Sequence, residues 1–216
     1  MINNRLVILS PGWGNSTWHL KPMERRFKEE GYDVFIVVNT QDGIRQSAMR
    51  LAGVLQKAHE TYNHITFIGY SMGGLVGRYL IHKFPEFNYI NSYVSIASPH
   101  RGSRAAELAI WSKAAHEMKI NSELFRELED TDWPIQIPAL AIQAEYDGLV
   151  IPNANSELKH AENIEIPKTT HISIVMSART FHEIHSWISS IFFPEDFQTV
   201  PEKKGISSTI REVLEL

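Results

Sequence analysis

Residues 67–76 read FIGYSMGGLV: an apolar run, then Gly69-Tyr70-Ser71-Met72-Gly73, then Gly74 and further apolar residues. Ile65 to Ile68 has the composition of a buried strand, and Leu75 to Lys83 that of a helix stopping before Pro85. A Gly-x-Ser-x-Gly turn between strand and helix strains the serine backbone and crowds the positions two residues either side, where Gly69 and Gly73 carry no side chain. Such a turn sets the Ser71 hydroxyl at the carboxyl edge of a sheet. It also leaves the Met72 N–H at the helix start, facing any anion near that oxygen. The bland alternative is a Gly-rich turn whose serine caps the helix, and this stretch alone does not decide between the two.

Outward from it, strand-like and helix-like segments alternate. Arg5 to Leu9, Asp33 to Val38, Tyr93 to Ala97, Ala139 to Ala144 and Ile164 to Ile166 read as further strands, mostly as apolar runs without strict alternation, the pattern of strands covered on both faces. Pro22 to Glu30 reads as a helix with Pro in its first turn and Gly31 as its stop. From Ile44, the apolar positions Ala48, Leu51, Leu55, Ala58 and Tyr62 form the stripe of an amphipathic helix lying on a sheet. The expected fold is α/β: a doubly wound, mainly parallel sheet of about six strands with helices on both faces. Ligands bind such sheets at the carboxyl ends of the strands.

Arg101 to Asp132 breaks the rhythm with two helix-like pieces and no strand, and is expected to be either a short helical lid or an ordinary crossover with an extra helix. Residues 1–194 are expected to form one domain, and 195–216 a tail with a short helix.

A length of 216 residues, 43% of them hydrophobic, suits a single core, and a formal net charge of -4 without a block of basic residues argues against a nucleic-acid partner. With no cysteine, there is no disulfide framework, thiolate metal site or Cys nucleophile. No apolar run approaches the roughly 18 residues of a membrane span, and no signal-peptide pattern is visible, so the default location is cytoplasmic. Neither a metal-ligand spacing nor a dinucleotide-binding glycine pattern is present, and no metal or cofactor is implied.

Four stretches resemble the α/β-hydrolase superfamily, and within it the small serine lipases and esterases: LSPGWGNSTW, GYSMGG, SIASPHRGS, and AEYDGLVIP followed by THISIV. NSELFRELED is a weaker fifth. The resemblance implies a nucleophile, an acid and a histidine in that chain order, which falls on Ser71, Asp147 and His171. Asp147 and His171 both follow strand-like segments. Glu145, His160, His182 and His185 are the competitors; the first lies nearer the strand and the others lie on the wrong edge or on a helix flank.

The resemblance also places oxyanion-binding backbone N–H groups at Met72 and Trp13, with Gly12 allowing close approach of the backbone. Many lipases carry His-Gly where this chain has Pro11-Gly12, a change that removes a bracing side chain but no backbone donor. Gly12, Tyr70, His100 and Trp111 are candidate pocket residues, and Trp13, Trp18 and Trp133 could share in an acyl pocket. His100 is equally read as a residue that braces its own loop.

The expected activity is cleavage of a carboxylic ester or lipid through an acyl-enzyme on Ser71, by a monomer or weak oligomer. A non-catalytic ligand-binding module, or an acyltransferase or thioesterase using the same triad, remains open at this level.

Overall fold

The computed structural model describes residues 5–14, 16–39, 42–109, 111–129 and 133–192. Six strands, β1 (Arg5–Ser10), β2 (Asp33–Ile36), β3 (His64–Tyr70), β4 (Ser92–Ile96), β5 (Ala139–Tyr146) and β6 (Glu162–Thr170), form one sheet in the order β2-β1-β3-β4-β5-β6. Every pair in it is parallel.

The continuous apolar strand runs follow from burial on both faces. Along β1, Leu6 and Ile8 enter one core while Val7 and Leu9 enter the other. Likewise Tyr93 on β4 faces the first and Val94 the second, because successive side chains point to opposite faces. The first face is covered by α2 (Ile44–His59), α3 (Met72–Lys83), α4 (Lys113–Glu117) and α5 (Glu123–Glu129). On the second lie α1 (Lys21–Glu29), α6 (Ser173–Met176) and α7 (Ala178–Phe192).

Elements lie where the sequence suggests, with shifted ends. β2 stops at Ile36, β6 extends beyond the expected Ile164 to Ile166 at both ends, and α3 begins at Met72, directly after Ser71. The expected tail, 195–216, lies outside the described residues, as do residues 193 and 194 at the end of the domain expected over 1–194.

The segment after β4 holds a 3-10 turn at Arg104–Leu108 followed by α4 and α5, one short element more than the two pieces expected. One ionic cluster around the buried Glu117 ties it to the body. Glu117 on α4 accepts from the Ile44 backbone N–H at the start of α2 and meets the Arg45 guanidinium at 2.7 Å, which also reaches Glu127 on α5 at 2.7 Å. The carboxylate thus meets both the positive end of the α2 dipole and a full charge.

Burial holds His64, His82, His100 and His185 below the ordinary imidazole range, His82 at about 4 with Arg78, Lys83 and His160 adding to the effect. Such groups bind fewer protons folded than unfolded, so their contribution is complete above about pH 6.5 and is lost as the pH falls toward about 4. The thermal midpoint is expected to decline over that window. His82→Gln, which cannot titrate, is expected to decline less steeply, and thermal melts across the window that superimpose with those of the parent protein would contradict this account.

Candidate active site

The chain departs from β1 in one direction to form β2 and in the other to form β3, so the strand order reverses between β1 and β3. That reversal opens a crevice at the carboxyl ends of the two strands. Ser10 at the end of β1 is in register with Gly69 near the end of β3, which brings the loop at Pro11-Gly12-Trp13 beside the turn at Ser71.

Ser71 has φ 53° and ψ -120°, a conformation sparsely populated by any residue with a side chain. The surroundings hold it there. Its N–H donates to the Ile96 carbonyl at 2.8 Å and its carbonyl accepts from Gly74 N–H at 3.1 Å, while Tyr93 Oη donates to the Gly74 carbonyl at 2.7 Å. The two glycines of the motif are required by space: a Cβ at Gly69 would sit 2.4 Å from the Gly74 backbone, and one at Gly73 2.3 Å from the Ser10 carbonyl oxygen.

The Ser71 side chain makes no capping hydrogen bond to α3. Its Oγ instead lies 3.0 Å from Nε2 of His171, whose Nδ1 lies 2.8 Å from Asp147 Oδ2 and 3.0 Å from Oδ1. Ser71 stands between β3 and α3, Asp147 just after β5, and His171 just after β6. Asp147 Oδ1 also accepts from the Leu149 and Val150 N–H groups, both at 2.8 Å, which fixes the carboxylate. Its side chain is 0% exposed and that of His171 7%. Glu145, the competing carboxylate, accepts instead from the Lys168 N–H at 2.6 Å.

Tyr70 Oη donates to the His171 carbonyl at 3.0 Å, and its ring centroid lies 5.3 Å from the imidazole. Burial, then the charge of Asp147, push the phenol above its ordinary range, so it remains the donor. Tyr70 was legible as a pocket residue from its place in the motif. Its grip on His171, 101 positions away in the chain, was not.

A cavity of about 220 Å³ opens over Ser71 and His171. Gly12, Trp13 and Tyr70 line it, and Ala105, Ala106, Ala109, Ala115 and Met118 from the segment after β4 give it an apolar wall. A Cβ on Gly12 would lie 3.2 Å from Ser71 Cβ, so the backbone approach there is close. Met72 is the first residue of α3 and Trp13 lies in the facing loop. The first N–H groups of a helix have no acceptor within it.

Two candidate pocket residues lie elsewhere. Trp111 is 79% exposed and lines no part of this cavity, because it sits on the turn before α4 with its ring toward solvent; alanines take the wall instead. His100 is buried at 2% exposure, with Nε2 2.8 Å from Ser95 Oγ, the bracing role the sequence also allowed. Of the other tryptophans, Trp13 bonds Ser112 Oγ through its indole N–H at 3.0 Å, Trp18 is 60% exposed against His19, and Trp133 is packed in the core.

A family model described as "Putative serine esterase (DUF676)" matches residues 3–127, more than half of the chain and the part that holds Ser71. The chain belongs to this serine esterase family. Among solved structures it is similar to the mature form of the Bacillus licheniformis lipase BlEst2, with a TM-score of 0.76 and 17% identity over 87% of this chain and 93% of that one. It is also similar to the metagenomic carboxyl esterase MGS0156, with a TM-score of 0.70 and 15% identity over 88% of this chain and 77% of that one. Est1E from Butyrivibrio proteoclasticus gives a TM-score of 0.61 and 14% identity over 87% of this chain and 89% of that one. At such identities the likeness establishes the α/β-hydrolase fold. A comparison with curated proteins returns no match. Among the described residues no helix is long and apolar enough to cross a membrane.

Proposed function

We propose that this family member hydrolyses carboxylic esters through an acyl-enzyme on Ser71. One observation carries the reading: the Ser71 hydroxyl, on strained backbone and excused from capping its helix, is hydrogen-bonded to His171 Nε2 at 3.0 Å inside an apolar cavity. A neutral serine hydroxyl is a poor nucleophile without such a base.

His171 takes the Ser71 proton as Oγ attacks the ester carbonyl carbon. Asp147 holds the Nδ1–H tautomer and stabilises the imidazolium that forms. The oxyanion of the tetrahedral intermediate is met by the backbone N–H groups of Met72 and Trp13. His171 then returns the proton to the departing alkoxide as the C–O bond breaks. Water, deprotonated by the same imidazole, attacks the acyl carbon; the acid leaves and Ser71 recovers its proton.

The acyl group lies along the Ala105, Ala106, Ala109 and Ala115 wall, with the segment from Arg104 to Met118 acting as a fixed cap. A cavity of about 220 Å³ holds a short or medium chain and not a long one. In a series of dissolved nitrophenyl esters, kcat/KM is expected to peak at short to medium acyl length and fall for long chains. Fluorophosphonate probes are expected to label the protein on Ser71. Absence of both labelling and hydrolysis, in folded protein, would leave a binding module; acyl transfer to an added alcohol or amine in preference to water would make it a transferase.

A further inference from the structure

Pro99 lines the catalytic cavity, and the next residue, His100, lines a second one of about 360 Å³ on the α3 and α5 side of the same turn. Its walls have two distinct chemistries. Arg78, Arg101 and Lys159 bring three cationic side chains to it, and His82, His100 and His160 bring three imidazoles. Phe125, Leu128 and Trp133 make an apolar flank.

The polar groups here are under-satisfied. The only hydrogen bond of the Arg78 side chain among the described residues runs from its guanidinium to the His100 carbonyl at 2.7 Å, and its buried Nε has no partner. No carboxylate lies within ion-pair distance of it among the described residues. Nδ1 of His100, a residue 2% exposed, is also buried without a partner. Of the two carboxylates lining the cavity, Glu157 is 3.3 Å from Arg101, leaving Glu129 against Arg78 and Lys159. His82 is held at low proton affinity by burial first, and then by the charges of Arg78, Lys83 and His160. A buried charge without a close ion-pair partner is costly, and a cavity whose cationic side chains outnumber its carboxylates attracts an anion.

We propose that this second cavity binds a small oxyanion, carboxylate or phosphate, with its charged end on the Arg78 guanidinium and any apolar part along Trp133, Phe125 and Leu128. Lys159, exposed on the cavity wall, adds attraction from the solvent side. Arg78 suits the task because a guanidinium presents paired donors to an oxyanion. The assignment is independent of the catalytic reading, since the two cavities share no lining residue and none of these side chains is hydrogen-bonded to Ser71, Asp147 or His171.

The test is a titration of the folded Ser71→Ala protein with sodium phosphate and, separately, sodium hexanoate, following the histidine ring signals by NMR at neutral pH. Saturable shifts of His82 and His160 at millimolar ligand are expected from at least one of the two, on a binding curve separate from any shift of His171. Phosphate alone would point to a phosphorylated ligand, and hexanoate alone to a carboxylic acid such as an esterase product. Arg78→Met is expected to weaken binding about tenfold or more, and Lys159→Ser, at an exposed position that leaves the core intact, about threefold. The proposal is overturned by no saturable shift of His82 with either anion, by shifts that persist unchanged in Arg78→Met, or, should that variant not fold, by unchanged affinity in Lys159→Ser.

Discussion

Ser71→Ala is expected to fold with an unchanged thermal midpoint and to lose kcat for a soluble nitrophenyl ester by on the order of 10⁴- to 10⁶-fold, with KM within a few-fold of the parent. The stability half follows from where Oγ points. It makes no capping bond to α3, and its one side-chain partner, His171, lines the catalytic cavity and keeps its bond to Asp147. The kinetic half follows from the proposed mechanism, in which the hydroxyl forms the acyl bond: its loss would remove the covalent pathway while leaving the apolar cavity wall intact. His171→Ala is expected to fall by a similar factor, and the double variant by scarcely more than either single one, since groups acting as one unit are not additive. Additive losses, or a Ser71→Ala protein that still labels fully with fluorophosphonate, would dismantle the proposed mechanism.

The fold was legible because its signals are local. Arg5 to Leu9 and Ile65 to Ile68 are apolar without alternation since both faces of their strands are covered, and that pattern alone calls for helices on either side. The meeting of Ser71, Asp147 and His171 was legible one step further, because parallel strands with right-handed crossovers bring every strand's carboxyl end to one edge. What stayed hidden depends on side-chain direction across long separations. Trp111 looked like a pocket residue from its place in the chain, yet whether an indole on a short turn faces inward is set by the packing of α4, which periodicity over five residues cannot encode. The tie of Glu117 to Arg45, the Tyr70 bond to His171 and the Arg78 bond to the His100 carbonyl are likewise tertiary pairings. No spacing in the sequence announces them.

Two glycines in helices are expected to respond with opposite signs to replacement by alanine. Gly53 lies exposed in the middle of α2 with nothing within 4 Å of the position a Cβ would take. Gly53→Ala is therefore expected to stabilise the protein by about 0.5–1 kcal/mol, the backbone-entropy gain of alanine in a helix interior. Gly73 lies in the first turn of α3, where the same propensity argument favours alanine, but its Cβ would stand 2.3 Å from the Ser10 carbonyl oxygen and 2.7 Å from that of Pro11. These are backbone atoms at the end of β1 and the start of the loop after it, and cannot rotate away. Relief requires α3 to move from β1, and overpacking of this kind costs about 1–3 kcal/mol or more. The same displacement pulls Trp13 away from Ser71, so Gly73→Ala protein that does fold is expected to lose at least the roughly 100-fold in kcat that one oxyanion donor contributes. Chemical denaturation of the two variants beside the parent, with kcat on one ester, checks both. A Gly73→Ala protein as stable and active as the parent would mean that the approach of β1 to the serine turn is looser than the packing indicates, and that Trp13 is not held where the reaction needs it.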